Sequence, residues 1–379
     1  MPKPKQIYLS ALNYAALNTQ SQAGREVGCK EVYQDIEEFE KRCQQTLKTD
    51  RPVLAVNSGT AAIHLGLLLA GITAGDHVIC QSMTFVASVN PVLYIGAIPV
   101  FVDSERQTWN MDPERLEEAF LDLVRNDKRP KAIILTSIYG MPYDYGRIFA
   151  FAKANNLTII DDSAEALGSS YKDLSNGTLG DFGIISFNNN KIISTTGGGL
   201  LICPDAASYE RGKFLATQAK ENEPFYQHKE IGFNYRMGHL NAMMGLSQIP
   251  LLSERITMRK QMHNFYQDSF QPISGISVHT APDDDFKSNY WLSAILVDPS
   301  EAGGVTKEDL RLALEAEDIE SRPIWKPMHL QPLYSTYAYY GGTVCEELFE
   351  KGLCLPSGSN VTAIDRKRIE LAIKNVLKY

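Results

Sequence analysis

The sequence has no C-x-x-C pair and no histidine at zinc-ligand spacing from its six cysteines, which are scattered as Cys29, Cys43, Cys80, Cys203, Cys345 and Cys354. A disulfide framework and a structural zinc site are excluded, and a reducing, cytoplasmic compartment is expected. No apolar run approaches the ~20 residues that cross a bilayer, so no membrane partner is expected. The start MPKPKQIYLS lacks the apolar core of a signal peptide. Basic residues are in deficit, 37 Lys and Arg against 45 Asp and Glu, for a net charge of -8. That balance excludes a broad nucleic-acid footprint, which needs clustered Lys and Arg, but leaves room for an anionic substrate in a local pocket. Low-complexity tracts and internal repeats are absent. So are a Walker loop and a G-x-G-x-x-G fingerprint, which removes a nucleoside triphosphatase and a simple nicotinamide enzyme from consideration.

What is present is the composition of an ordinary globular protein, 44% hydrophobic and 22% charged, in 379 residues that are long for one core. From Arg51 to about Cys203, short apolar runs (PVLAVNS, DHVICQS, IPVFVD, KAIILTSI, LTIIDDSA, FGIISFN, GGLLICP) alternate with amphipathic stretches. This rhythm predicts an α/β fold with a mostly parallel central sheet and helices on both faces. Ligand sites of such sheets lie in the loops after the strands. Residues 1–250, with an N-terminal arm, are expected to form this large domain. The stretch GFNYRMGHLNAMMGLSQIPLLSERITMRKQMHNFYQDSF reads as one long helical segment, with a boundary near Leu251. Residues 251–379 then supply a linking helix and a small α+β domain, in which WLSAILVD reads as a strand and KEDLRLALEAED and ELAIKNVLK as helices.

Three strand-end stretches carry polar residues suited to chemistry. In NSGTAA, Ser58, Gly59, Thr60 and Ala61 offer unpaired backbone N–H groups at a helix start, either as a phosphate cradle or as a plain helix cap. In IIDDSAEALG, a buried strand ends in Asp161, Asp162 and Glu165. Asp162 could pair with a protonated ring nitrogen; the alternatives are another cap or a divalent-metal site. In SFNNNKIISTTGGGLL, Lys191 follows Ser186 and three asparagines and precedes glycines that permit close backbone approach. It is either a solvated charge or a Schiff-base lysine. Phe85, in the loop QSMTFVAS, supplies a flat aromatic face or packs in the core. Together these residues match the needs of pyridoxal phosphate: a phosphate cradle, an aromatic plate, a carboxylate for the pyridine nitrogen and a lysine for the aldehyde.

With those motifs in hand, the sequence resembles the DegT/DnrJ/StrS sugar-nucleotide aminotransferases, fold-type-I pyridoxal-phosphate enzymes, from about Val53 to Asp365. The motifs are NSGTAAIHL, TFVASVNPVLYIGAIPVFVD, DDSAEALG, GDFGIISFNNNK, GFNYRMGHLNAMMGLSQ, RPIWKPMHLQPLY and CLPSGSN. The resemblance implies that Lys191 bonds the cofactor's aldehyde and moves the proton, and that Asp162 pairs with the pyridine nitrogen. It further implies Phe85 and Ala164 on the two ring faces, Glu165 near the ring hydroxyl, and Ser58, Gly59, Thr60, Ala61 and Ser186 at the phosphate. Asn234 takes the position that in the family reaches the neighbouring subunit's phosphate, so a homodimer with shared sites is implied. His329 lies in a motif bordering the sugar-nucleotide pocket. Arg236 and Arg322 are candidates for diphosphate or amino-donor contacts, with surface salt bridges as the alternative. Many relatives read Gly-Glu-Gly-Gly where this chain has Thr196, Gly197, Gly198 and Gly199. That missing Glu resembles the subgroup that aminates UDP-4-keto-6-deoxy-N-acetylglucosamine at C4 with L-glutamate as donor. The N-terminal stretch keeps the EEFEKRC helix without the Gly, Trp and Pro pattern expected before it.

Overall fold

The computed structural model describes residues 6–9 and 29–377. An eight-stranded sheet runs in the order Val53–Val56, Gly199–Ile202, Phe182–Ser186, Thr158–Asp162, Ala132–Thr136, His77–Gln81, Ile98–Val102 and Tyr339–Tyr340. Most of these runs are buried along nearly their whole length, as expected for strands with both faces covered. All neighbours pair in parallel except Gly199–Ile202, which is antiparallel to both strands beside it. Seven strands were legible as buried runs, but direction was not, because burial on both faces reads the same either way along the chain.

That one antiparallel strand shapes the site. Residues 187–198 leave the carboxyl end of Phe182–Ser186 and return at the same edge, where Gly199 stands opposite both Ser186 and Val56. The loop after Val56 and the loop bearing Lys191 therefore lie against each other. The approach is so close that a Cβ on Gly199 would lie 2.5 Å from the Ser58 carbonyl carbon and 2.6 Å from the Gly59 nitrogen. No other residue fits there.

Helix Gly59–Leu69 departs from the amphipathic pattern expected of it. Gly59, Ala61, Ala62, Ile63, His64, Leu65, Gly66 and Leu67 are all buried, because helices Asn90–Tyr94 and Ala206–Ala216 cover what the sheet does not. The stretch 232–270 is not one helix either. It divides into His239–Gln248 and Leu252–Phe270 around a short turn, Ile249–Leu251, where Pro250 has no N–H to continue the ladder. The boundary expected between residues 250 and 251 falls in that turn.

Beyond it, a four-stranded antiparallel sheet of Ile276–Val278, Ser293–Val297, Gly352–Leu355 and Arg322–Pro323 packs with helices Leu252–Phe270, Lys307–Ala316 and Ala363–Leu377 around Tyr266, Ile295, Leu310, Leu353 and Ile369. Two segments cross the expected division. Ile7 joins the C-terminal core and pairs with Ile319. Tyr339–Tyr340 adds the last strand of the large sheet, secured by Asp103, whose carboxylate accepts the N–H groups of Gly342, Val344 and Cys345. The expected helix over EEFEKRC is part of Cys29–Thr46, while residues 10–28, the remainder of the atypical N-terminal stretch, lie outside the described residues. No described helix is long and apolar enough to cross a membrane.

Candidate active site

The loops at the carboxyl edge of the sheet enclose a cavity of about 490 Å³. Its wall brings together Ser58, Gly59, Thr60, Phe85, Asp162, Ala164, Glu165, Ser186 and Lys191, nine of the residues singled out by the sequence.

At one end stands the start of helix Gly59–Leu69. The Ser58 hydroxyl accepts the Ala61 N–H at 3.0 Å, so the helix-cap alternative is realised. The cap does not exclude the cradle. The first N–H groups of a helix have no intrahelical partner, and with Ala61 served by Ser58, those of Gly59 and Thr60 remain in a segment that lines the cavity. Buried Ala61 itself is behind the wall, its N–H already used. Ser186 packs directly against Gly59, and its hydroxyl accepts the Asn188 N–H at 3.4 Å. The positive end of the helix dipole and these donors suit a dianionic phosphate.

At the other end Asp162 is 3% exposed. The Ser88 hydroxyl donates to its Oδ2 at 2.5 Å and the Ala164 N–H to its Oδ1 at 3.2 Å. Behind Ser88, Thr84 Oγ1 bonds both Ser88 Oγ at 2.7 Å and Thr136 Oγ1 at 2.9 Å. Burial raises the Asp162 carboxyl above its ordinary range, against the hydrogen bonds of Ser88 and Ala164 and the charge of Lys191. A buried carboxylate of this kind is stabilised by a cation brought to it from the cavity. Phe85 borders the same space with 51% of its surface exposed, unusual for a phenylalanine, and its ring centre lies 5.3 Å from that of Trp325.

Lys191 extends from the loop between the antiparallel strands. Its side chain is 12% exposed, so the solvated-charge alternative does not hold. Its Nζ lies 3.3 Å from Glu165 Oε1 and 4.2 Å from the centre of the Trp291 ring. Burial pushes the Glu165 carboxyl up to about 7, although the Lys191 charge and the Tyr139 N–H act in the opposite direction.

Pyridoxal phosphate fits this donor set. The Ser58–Thr60 loop and Ser186 would hold its phosphate, Asp162 its pyridine nitrogen, and Phe85 and Ala164 its ring faces, with the Lys191 amine as partner for its aldehyde. The metal alternative finds no support, since no group of three His, Cys, Asp or Glu suited to an ion occurs among the described residues.

Three expected substrate contacts need separate accounts. Arg236 is turned away from the cavity: it is an interior ion pair with Glu40 and also donates to the Ala55 carbonyl at 2.8 Å. A buried guanidinium requires fixed acceptors, and Glu40, which also accepts the Ala55 N–H at 2.7 Å, provides them beneath the phosphate loop. His329 is likewise outside the cavity wall. Its Nδ1 bonds Ser82 Oγ at 2.7 Å, its Nε2 lies 3.3 Å from Glu346 Oε1, and its ring stacks on Tyr339 at 3.8 Å, so it braces the Phe85 loop from behind. Arg322 does line the cavity, at its rim, in an exposed pair with Glu320 at 2.9 Å. Asn234 is exposed and outside the wall formed by its own chain, its carbonyl accepting Asn57 Nδ2 at 3.0 Å.

Sequence reasoning missed Ser88, Trp291 and Trp325, all of which line the cavity. The rarity of tryptophan was the available signal, since two of the three in the chain face the site.

Known proteins of similar sequence and fold exist. The family model described as the DegT/DnrJ/EryC1/StrS aminotransferase family matches residues 18–374. A Bacillus subtilis (strain 168) protein described as a pyridoxal phosphate-dependent aminotransferase, EpsN, is 42% identical over 88% of this chain and 86% of its own. GDP-perosamine synthase of Escherichia coli O157:H7 is 37% identical over 80% and 79%. Among solved structures, a DegT DnrJ EryC1 StrS aminotransferase from Brucella abortus superposes with a TM-score of 0.86 at 28% identity, covering 96% of this chain and 95% of that one.

Proposed function

Because the chain belongs to the DegT/DnrJ/EryC1/StrS aminotransferase family, whose members work with pyridoxal phosphate, we propose that it moves the amino group of L-glutamate to C4 of a 4-keto-6-deoxy nucleotide sugar, with UDP-4-keto-6-deoxy-N-acetylglucosamine as acceptor. The observation that carries the reading is the Lys191 amine, held between Glu165 and Trp291 in the cavity that also presents Asp162 and Phe85. The cofactor supplies an electron sink for the carbon that gains or loses a proton. Asp162 would keep that sink charged, Phe85 would hold its plane, and the Lys191 amine would carry the proton to or from the substrate carbon. Arg322 is the arginine among the described residues of the cavity wall and is suited to an anionic group of the donor or the diphosphate. Its exposed pair with Glu320 costs little to open.

The choice of acceptor rests on Gly197. This residue lines the cavity, and a Cβ on it would meet only the Asn57 carbonyl, at 3.9 Å. Room that a carboxylate would fill is thus left to the substrate. Gly197→Glu is expected to fold with an unchanged melting temperature and to lower kcat/KM for the nucleotide sugar about tenfold by crowding and charge repulsion, a loss of ~1.4 kcal/mol. Its reaction with glutamate alone should be unaffected. An unchanged kcat/KM for the sugar would remove Gly197 as a reason for this acceptor. A GDP-linked sugar is the second reading, favoured by the likeness to GDP-perosamine synthase. UDP-, dTDP- and GDP-linked 4-keto and 3-keto sugars, each incubated with glutamate and the holoenzyme and read by mass spectrometry, decide between them. Amination of none contradicts both readings.

The site also supports a homodimer in which Asn234 serves the neighbouring chain. Within ten positions of it along the chain, Phe225, Tyr226, Ile231 and Leu240 are 60%, 82%, 82% and 76% exposed, large apolar side chains better suited to an interface than to water. Light scattering should give twice the chain mass. Mixing inactive Lys191→Ala chains with inactive Asn234→Ala chains should restore activity through hybrids, and a monomer, or no restoration after subunit exchange, would contradict shared sites.

A further inference from the structure

Glu165 is built into the site more firmly than a wall residue needs to be. Its side chain is 4% exposed, Oε2 accepts the Tyr139 N–H at 2.8 Å, and Oε1 faces Lys191 Nζ at 3.3 Å. Tyr139 directs that N–H from a left-handed backbone conformation, φ 52°. Asn289 fixes the Glu165 main chain by donating to its carbonyl at 2.8 Å and to that of Leu167 at 3.0 Å. Gly140, at φ 87°, leaves the space for it, since a Cβ there would lie 2.0 Å from Asn289 Oδ1. The titratable groups facing the carboxyl are Lys191, Asp162, the Tyr139 phenol and the Cys354 thiol, so Lys191 is the cation among them.

Lys191 is held just as closely. The Trp291 indole N–H donates to the Asn190 carbonyl at 2.7 Å and Arg255 Nη1 to the Ile192 carbonyl at 2.8 Å, pinning the peptide on both sides of the lysine. With 12% of the side chain exposed, the amine has a poor route for giving its proton to water. Yet only the free amine can add to a carbonyl.

Resting on the reading that Lys191 bonds the cofactor, we propose that Glu165 is the base that takes the proton from Lys191. The Nζ–H bond breaks, its electron pair stays on nitrogen, and an O–H bond forms at Glu165 Oε1. A buried ion pair becomes a neutral amine beside a neutral acid, with no other reactant required, and the step reverses when the amine is needed as an ammonium. Burial lessens the cost of reaching the neutral pair, because desolvation penalises two charges more than two dipoles. A carboxyl raised to about 7 also takes the proton at less cost than an ordinary glutamate.

The test is capture of pyridoxal phosphate by the apoprotein, followed as growth of the visible absorption band over a range of pH, without any sugar. Glu165→Gln keeps an acceptor for the Tyr139 N–H and is expected to retain the wild-type melting temperature. At pH 7 it should capture the cofactor about 100-fold more slowly, with the deficit narrowing as the pH rises and hydroxide takes over from the missing base. Glu165→Asp should restore part of the neutral-pH rate. Capture by Glu165→Gln at the wild-type rate, or a deficit equal at every pH, overturns the proposal. Lys191→Ala separates the two assignments, since the same band forming in that variant would show that the lysine, rather than its base, is wrongly assigned.

Discussion

Lys191→Ala is expected to lower kcat by about 10⁴-fold while the protein stays folded. Two functions are lost at once, the amine that meets the cofactor's aldehyde and the group that carries the proton. The substitution empties space between Glu165 and Trp291 instead of disrupting a strand, because Lys191 sits in the connection between Phe182–Ser186 and Gly199–Ile202. Methylamine added to the variant should fill that space and restore a measurable part of the rate. Rescue would show that the missing amine limits the reaction. Wild-type turnover in the variant would remove Lys191 from the chemistry altogether, and a lowered melting temperature without rescue would make its role structural.

Asp162→Asn should lower kcat by about 10³-fold, the scale of removing one fixed charge from a water-excluded site. The amide has the carboxylate's shape but cannot keep a ring nitrogen protonated. Stability should move the other way. Burial raises the Asp162 carboxyl above its ordinary value, so the folded apoprotein binds that proton more tightly than the unfolded chain does. Its stability therefore falls as pH rises from the unfolded value of ~3.9 through the folded one. Asparagine carries no such penalty. At pH 7 the apo variant should melt no lower than the wild type, and calorimetry beside steady-state kinetics checks both halves. A variant that is fully active, or inactive only because it is unfolded, would contradict the role given to Asp162.

Which parts of this architecture could be read from the chain follows from the range of the forces involved. Strands such as Ala132–Thr136 and Thr158–Asp162 are legible because five buried residues in a row leave a local apolar signature. The loops after them are legible because each gathers its polar residues within a few positions of a strand end, as Asp162 and Glu165 do. Direction and partners are another matter. The antiparallel course of Gly199–Ile202 depends on where residues 187–198 turn back, which no local pattern records. Arg236 and His329 stand in motifs as suggestive as Lys191's, yet Glu40 holds one beneath the phosphate loop and Ser82 and Glu346 hold the other behind the Phe85 loop. Trp291, Asn289 and Arg255 act on Glu165 and the Lys191 loop from 63 to 124 positions away, so their roles exist only after the chain has folded.

The most direct measurement is the reaction of the yellow holoenzyme with L-glutamate alone. The account predicts loss of the visible band together with formation of one 2-oxoglutarate per chain, and neither change in Lys191→Ala. A band that persists under excess glutamate, with no 2-oxoglutarate formed, would contradict it.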